Sequence, residues 1–223
     1  MPDQILDDAS IELVKSKNFS ISLAAIEEII FEEDTSEFYY NKIYQRPEWP
    51  GGASGVTIGL GYDLGYATKD KVIKDFKGKI PDDMLNALLS VVGITGTSAN
   101  RVMLKVKSKI SIPWDVALDV FLNNDIPEWI NTVNHVLDNT NLLSPDCLGA
   151  LVSLAYNRGA SFHRTGDRYK EMRAIAADMS TKNFKDIPNQ FKLMSRLWPK
   201  SSGVYKRRFR EASLFEKGLN LNA

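Results

Sequence analysis

The chain has 223 residues, 25% of them charged and 43% hydrophobic, and its 28 basic and 28 acidic side chains cancel to a formal net charge of zero. This is the composition of an ordinary globular chain of one domain, or of one with a small appendage; no run approaches the roughly 20 apolar residues of a membrane span. A single cysteine, Cys147, excludes an internal disulfide and a thiol-rich metal site.

Charge is unevenly spread. Residues 1–63 carry twelve Asp and Glu against four Lys and Arg, whereas 164–210 carry thirteen Lys and Arg against four acids. A basic half either steers the chain onto an anionic polymer or solvates its own surface and attracts the acidic half. The N-terminus, MPDQILDDAS, is acidic and lacks a basic region followed by an apolar core, so no secretory signal is expected.

In chain order, residues 1–20 read as an extension with a short peripheral helix around 11–17. A helix over 21–33 follows, with Ile26, Ile29 and Ile30 at helical spacing. Glu33 falls on this apolar stripe, while Glu28 and Glu32 stack on the polar side. A carboxylate on a buried face near a helix C-terminus has its pKa raised, as a general acid requires; the alternative is a solvated helix-end residue. Residues 34–36 break the helix, and 37–44 read as a helical turn or a strand. Residues 46–52 form a Pro/Gly loop, in which Trp49 either stacks a sugar ring or packs the loop.

The stretch SGVTIGLGYDLG then reads as a hairpin turning on Gly59-Leu60-Gly61. That register sets Ile58 opposite Tyr62 and Thr57 opposite Asp63, with Cβ atoms about 4.5–5.5 Å apart. A hydroxyl and a carboxylate so placed hold one water between them, or form a structural hydrogen bond.

The remainder reads as helical. Thr68 caps a helix bearing Val72, Ile73 and Phe76. Pro81-Asp82-Asp83 opens another through Leu85, Leu88 and Leu89, stopped near Gly93 and Gly96. A short basic helix covers 100–110. Pro113-Trp114-Asp115 begins a longer one, and Pro127 starts or kinks the next, with Ile130, Val133 and Leu137. Ser144-Pro145-Asp146 starts an all-round apolar helix that ends on Gly159, as in the centre of a bundle. No internal repeat, low-complexity tract or interdomain linker appears. His135 and His163 are too isolated for a zinc site, and no Ser-His-Asp pattern, P-loop or dinucleotide fingerprint is present.

The order Glu, about two dozen residues, then T-I-G-x-G resembles the phage-type lysozymes of glycoside hydrolase family 24. The longer string W-P-G-G-x-S-G-V-T-I-G-x-G-Y-D-L-G is similar to a branch near bacteriocin lysozyme domains and the muramidase domains of type VI secretion spikes. The common phage pattern has its Asp six residues before the Thr, a position held here by Gly51. In the bacteriocin-like branch the Asp follows the Thr by six, as Asp63 does. Weaker echoes lie at 148–159 and 194–215, including a Lys/Arg-Arg pair with a Glu one turn later.

The resemblance implies an α+β, mostly helical, lysozyme-like fold over 21–223: a small hairpin lobe (about 21–66) and a helical lobe (about 67–217) flanking a cleft. It implies an N-acetylmuramidase that hydrolyses the MurNAc–GlcNAc bond of peptidoglycan, with Glu33 as acid (Glu32 being the alternative), Asp63 as base or water-holder and Thr57 as its partner. An inverting mechanism sets the carboxyl groups about 6.5–9.5 Å apart. Trp49, Tyr62, Asn157 and Arg207 are the expected substrate contacts; for Asn157 the alternative is a cap, and for Arg207 or Arg208 a solvated helix arginine. No metal or cofactor is expected. The expected partners are peptidoglycan glycan strands and a secretion-spike or immunity protein; a monomer, with no nucleic acid, fits the rest. Such an enzyme, made in the cytoplasm without a signal peptide, reaches the periplasm or wall through a holin, a secretion machine or lysis. A lytic transglycosylase, a chitinase and a non-catalytic wall-binding module are the rival readings.

Overall fold

A computed structural model describes residues 6–30, 37 and 40–220. Among these the chain is mostly helical, and its sheet is one two-stranded antiparallel ribbon. The helices α1 (Asp8–Ser16) and α2 (Leu23–Ile30) precede the ribbon. The ribbon is β1 (Thr57–Ile58) and β2 (Tyr62–Asp63). Nine helices follow: α3 (Lys69–Phe76), α4 (Asp82–Leu89), α5 (Gly96–Val106), α6 (Trp114–Val120), α7 (Ile126–Val136), α8 (Pro145–Arg158), α9 (Lys170–Ser180), α10 (Ile187–Met194) and α11 (Gly203–Asn220).

Two compact units are formed, one by residues 1–10 and 34–126, the other by 11–33 and 127–223. Within the second unit α2 lies against α8: a Cβ added at Gly149 would collide with the Cβ of Ala25.

In the first unit, the Thr68 hydroxyl accepts from the Lys71 amide at 3.2 Å and caps α3. Gly93, at φ +79°, separates α4 from the next helix, but Gly96 begins α5 rather than ending α4. Residues 40–44 form a π-helical turn. Tyr40 within it is fully buried, donates its hydroxyl to the Ile112 carbonyl at 2.9 Å and meets Trp114 edge-on at 5.2 Å. Its burial raises the phenol pKa well above the usual value. Pro127 lies in the first turn of α7, which begins at Ile126. A π turn over Phe121–Asp125 joins α6 to α7, which accommodates the missing N–H and the bulk of the proline ring one residue into α7.

The second unit is built on α8. The Ser144 hydroxyl caps it by accepting from the Cys147 amide, Pro145 occupies its first turn, and Gly159 ends it at φ +75°. Residues 147–155 are buried almost without exception, so neighbours cover α8 on nearly every side. Helix α11 approaches so closely that a Cβ on Gly218 would collide with the Ser144 hydroxyl. Cys147 is 1% exposed and donates its Sγ–H to the Phe215 carbonyl; burial raises its thiol pKa.

Between α8 and α11 lies a buried ionic cluster. One oxygen of Glu211 accepts from the Ser153 hydroxyl at 2.6 Å, Arg208 at 2.8 Å and Arg207 at 3.2 Å. All four side chains are 2% exposed or less. Glu28, expected on a polar face, instead accepts the Nε–H of Arg210 with both carboxylate oxygens, at 2.8 and 3.0 Å. Desolvation nevertheless raises its pKa.

Two stability effects are expected from this packing. Gly149→Ala forces α2 and α8 apart and costs about 1–3 kcal/mol, read as a lower denaturant midpoint. Glu211→Ala leaves two buried guanidinium groups without their anion and costs about 3–5 kcal/mol, read the same way.

Candidate active site

The ribbon pairs Thr57 with Asp63 and Ile58 with Tyr62, the register read from the sequence. Gly59 at φ +57° and Gly61 at φ +86° supply the turn, a left-handed backbone that few side chains tolerate. Alternation then sorts the faces. Val56, Ile58, Tyr62 and Leu64 are buried, whereas Thr57 and Asp63 share the half-exposed face.

Both backbone groups of Thr57 are taken by Glu48, whose amide donates to the Thr57 carbonyl at 2.9 Å and whose carbonyl accepts from the Thr57 amide at 2.8 Å. Thr57 therefore has no ladder bond left for Asp63. The two form a non-hydrogen-bonded antiparallel pair, the type in which facing side chains come closest. The next ladder bond runs from the Leu64 amide to the Val56 carbonyl at 2.9 Å.

The Asp63 carboxylate is held by backbone amides. Gly55 donates to both oxygens, at 3.0 and 3.1 Å, and Gly65 donates to Oδ1 at 2.8 Å. Glycine is required at both positions by close approach rather than by φ. A Cβ at 55 would collide with Asp63 Oδ1 and the Gly65 backbone, and one at 65 would lie 2.6 Å from the Gly55 Cα and 2.8 Å from Thr95 Cγ2.

Two aromatic rings are fixed on the loop that precedes the ribbon. The half-buried Trp49 donates its indole N–H to the Ser54 carbonyl at 3.1 Å. Tyr66, which the sequence reading passed over, is 70% exposed and donates its hydroxyl to the Ala53 carbonyl at 2.9 Å. Two rings are thus fixed on consecutive carbonyls of the glycine loop, a composition suited to an apolar sugar face.

Tyr62 and Arg207, both expected at the substrate, require correction. Tyr62 is 6% exposed; its ring meets Phe76 edge-on and its hydroxyl donates to the buried Asp75 at 2.9 Å, which also pairs with Lys71 at 3.2 Å. Ribbon alternation sends it inward, where it ties β2 to α3. Arg207 is 2% exposed and is bonded to Ser153 and Glu211 inside the other unit. Asn157 is half-exposed near the end of α8 and accepts from Arg208 at 3.2 Å. Arg208 is fully buried, so it is not a solvated helix arginine either.

Glu33 and its alternative Glu32 lie outside the described residues. The stripe leading to them is present, since Ile26, Ile29 and Ile30 are all buried. Among the described residues no group of three or more His, Cys, Asp or Glu is placed to hold a metal, and no helix is long and apolar enough to cross a membrane.

A family model described as a domain of unknown function (DUF8812) matches residues 28–135. Over those residues, which include the whole ribbon and its flanking loop, the chain is similar to that family. No curated protein matches the chain.

Gly55→Ala tests the amide cradle. Displacing Asp63 is expected to cost about 1–3 kcal/mol and to remove the hydrogen-exchange protection of the Gly65 amide. Unchanged protection would mean that the carboxylate does not hold this backbone.

Proposed function

We propose that the protein is a peptidoglycan hydrolase of lysozyme-like fold, an N-acetylmuramidase that cleaves the MurNAc–GlcNAc bond by acid/base chemistry. The observation that carries this reading is the direct opposition of Thr57 and Asp63 on the accessible face of the T-I-G-L-G-Y-D-L-G ribbon. A hydroxyl beside a fixed carboxylate orients a water, and a glycosidic bond needs only such a water and a proton donor. The donor is Glu33 in this reading. Trp49 supplies an apolar ring for the sugar beside the same ribbon.

One observation favours a second reading. Both Asp63 oxygens already accept backbone N–H groups, as a purely structural carboxylate would. A lytic transglycosylase, which works with a lone Glu and leaves anhydro-sugar ends, fits that arrangement.

Mass spectrometry of the soluble fragments released from bacterial peptidoglycan separates the two. Reducing N-acetylmuramic acid ends are expected, with turnover abolished and folding preserved in Glu33→Gln. Anhydro ends would favour the transglycosylase. Absence of fragments would leave a wall-binding module, and full activity in Glu33→Gln would move the acid to Glu32.

A further inference from the structure

We propose that Glu48 is a catalytic carboxylate of the Thr57 site and accepts the proton of the attacking water, a role the family resemblance gives to Asp63. This rests on the hydrolase reading and assigns its base.

Position is the first ground. Glu48 and Thr57 form an antiparallel bridge and exchange both backbone hydrogen bonds. Directly opposed residues of an antiparallel pair project to the same face. Because Thr57 also opposes Asp63, the three side chains form one row with the hydroxyl in the middle and a carboxylate on each side. Neighbouring Cβ atoms in such a row are about 4.5–5.5 Å apart, close enough for one water to join the hydroxyl to either carboxylate.

Availability is the second ground. Asp63 is occupied by the Gly55 and Gly65 amides, and those bonds tie the chain entering the ribbon to the chain leaving it. Glu48 is half-exposed, and its carboxylate accepts no hydrogen bond among the described residues. Its backbone is fixed all the same, by the two bonds to Thr57 and by the buried Pro47 before it. A base must be anchored at its backbone and open at its oxygens; of the two carboxylates, Glu48 meets both conditions.

The step balances. The water oxygen bonds to the anomeric carbon as the glycosidic C–O bond breaks, the leaving oxygen takes the proton of the acid, and the water's proton passes to Glu48. Thr57 orients the water, and Asp63 acts as a positioning residue that sets the ribbon on which Thr57 sits.

The test uses the full chain on peptidoglycan, with reducing ends and released fragments measured together. Glu48→Ala and Glu48→Gln are each expected to lose about 100-fold or more in turnover, with unchanged melting temperature in the Gln variant. Azide needs no base, so it restores bond cleavage in Glu48→Ala and appears in a glycosyl azide of matching mass. Asp63→Asn is expected to lower the melting temperature, and azide does not restore its turnover. Wild-type turnover in both Glu48 variants, or azide rescue of Asp63→Ala and not of Glu48→Ala, overturns the assignment and leaves the hydrolase reading standing. Absence of reducing ends from the wild-type chain overturns that reading and this assignment with it.

Discussion

A single carboxylate fixes the geometry of the ribbon. Asp63 draws the amides of Gly55 and Gly65 onto its oxygens, and so closes the open end, opposite the turn, of a sheet only two residues long in each strand. A two-stranded ribbon of that length has little stability of its own. Here it is held by charge-assisted bonds to backbone N–H groups, roughly twice as strong as neutral ones, and by the buried side chains beneath it. The register follows, and with it the row that brings Thr57 between two acidic residues. Glycine at 55 and 65 is the steric condition for this arrangement, since either Cβ would occupy the space of the opposing chain.

The same carboxylate poses a chemical question, because a group that organises backbone has fewer lone pairs to offer a substrate. An ionised carboxyl has about four acceptor sites; the three amide contacts leave Asp63 fewer of them for a water than Glu48 has. In the proposed mechanism, structure and reactivity are divided across the row. Asp63 positions backbone through its side chain. Glu48, whose carboxylate accepts no hydrogen bond among the described residues, is held through its main chain and receives the proton. Tyr62 shows the complementary division one position earlier, where an inward side chain anchors β2 to α3 through Asp75.

Much of the architecture was legible in the sequence because it depends on local rules. The Gly-Leu-Gly turn, the Thr57–Asp63 register, the Thr68 and Ser144 caps and the Gly159 terminus each follow from a residue type at a fixed offset. What escaped reading depends on partners distant in the chain. Glu48 meets Thr57 across an eight-residue Pro/Gly loop whose length gives no register. Arg207 sits in a basic run that looks solvated, until Ser153 and Glu211 bury it. Helix α9 did have a local signal, with Met172, Ile175, Ala176 and Met179 at helical spacing and all buried, but the intervening polar residues dilute it. Tyr62 was misplaced for another reason: adjacency to Asp63 suggests a shared role, whereas strand alternation puts neighbours on opposite faces.

The basic C-terminal third changes meaning once its partners are known. Arg196 pairs with Asp167 and Glu171, Lys192 with Glu216, Arg207 and Arg208 with Glu211, and Arg210 with Glu28. Much of the excess charge is thus neutralised within its own unit, and part of it is buried beyond reach of any polymer. Long-range steering by charge falls steeply with salt, and here fewer exposed cations remain to provide it than the composition suggests. In the proposed reading, glycan recognition rests mainly on short-range contact, with fixed aromatic rings such as Trp49 and Tyr66 and with the polar row of the ribbon. That is the economy appropriate to a neutral sugar ring, whose faces are apolar and whose hydroxyls need only a few well-placed partners.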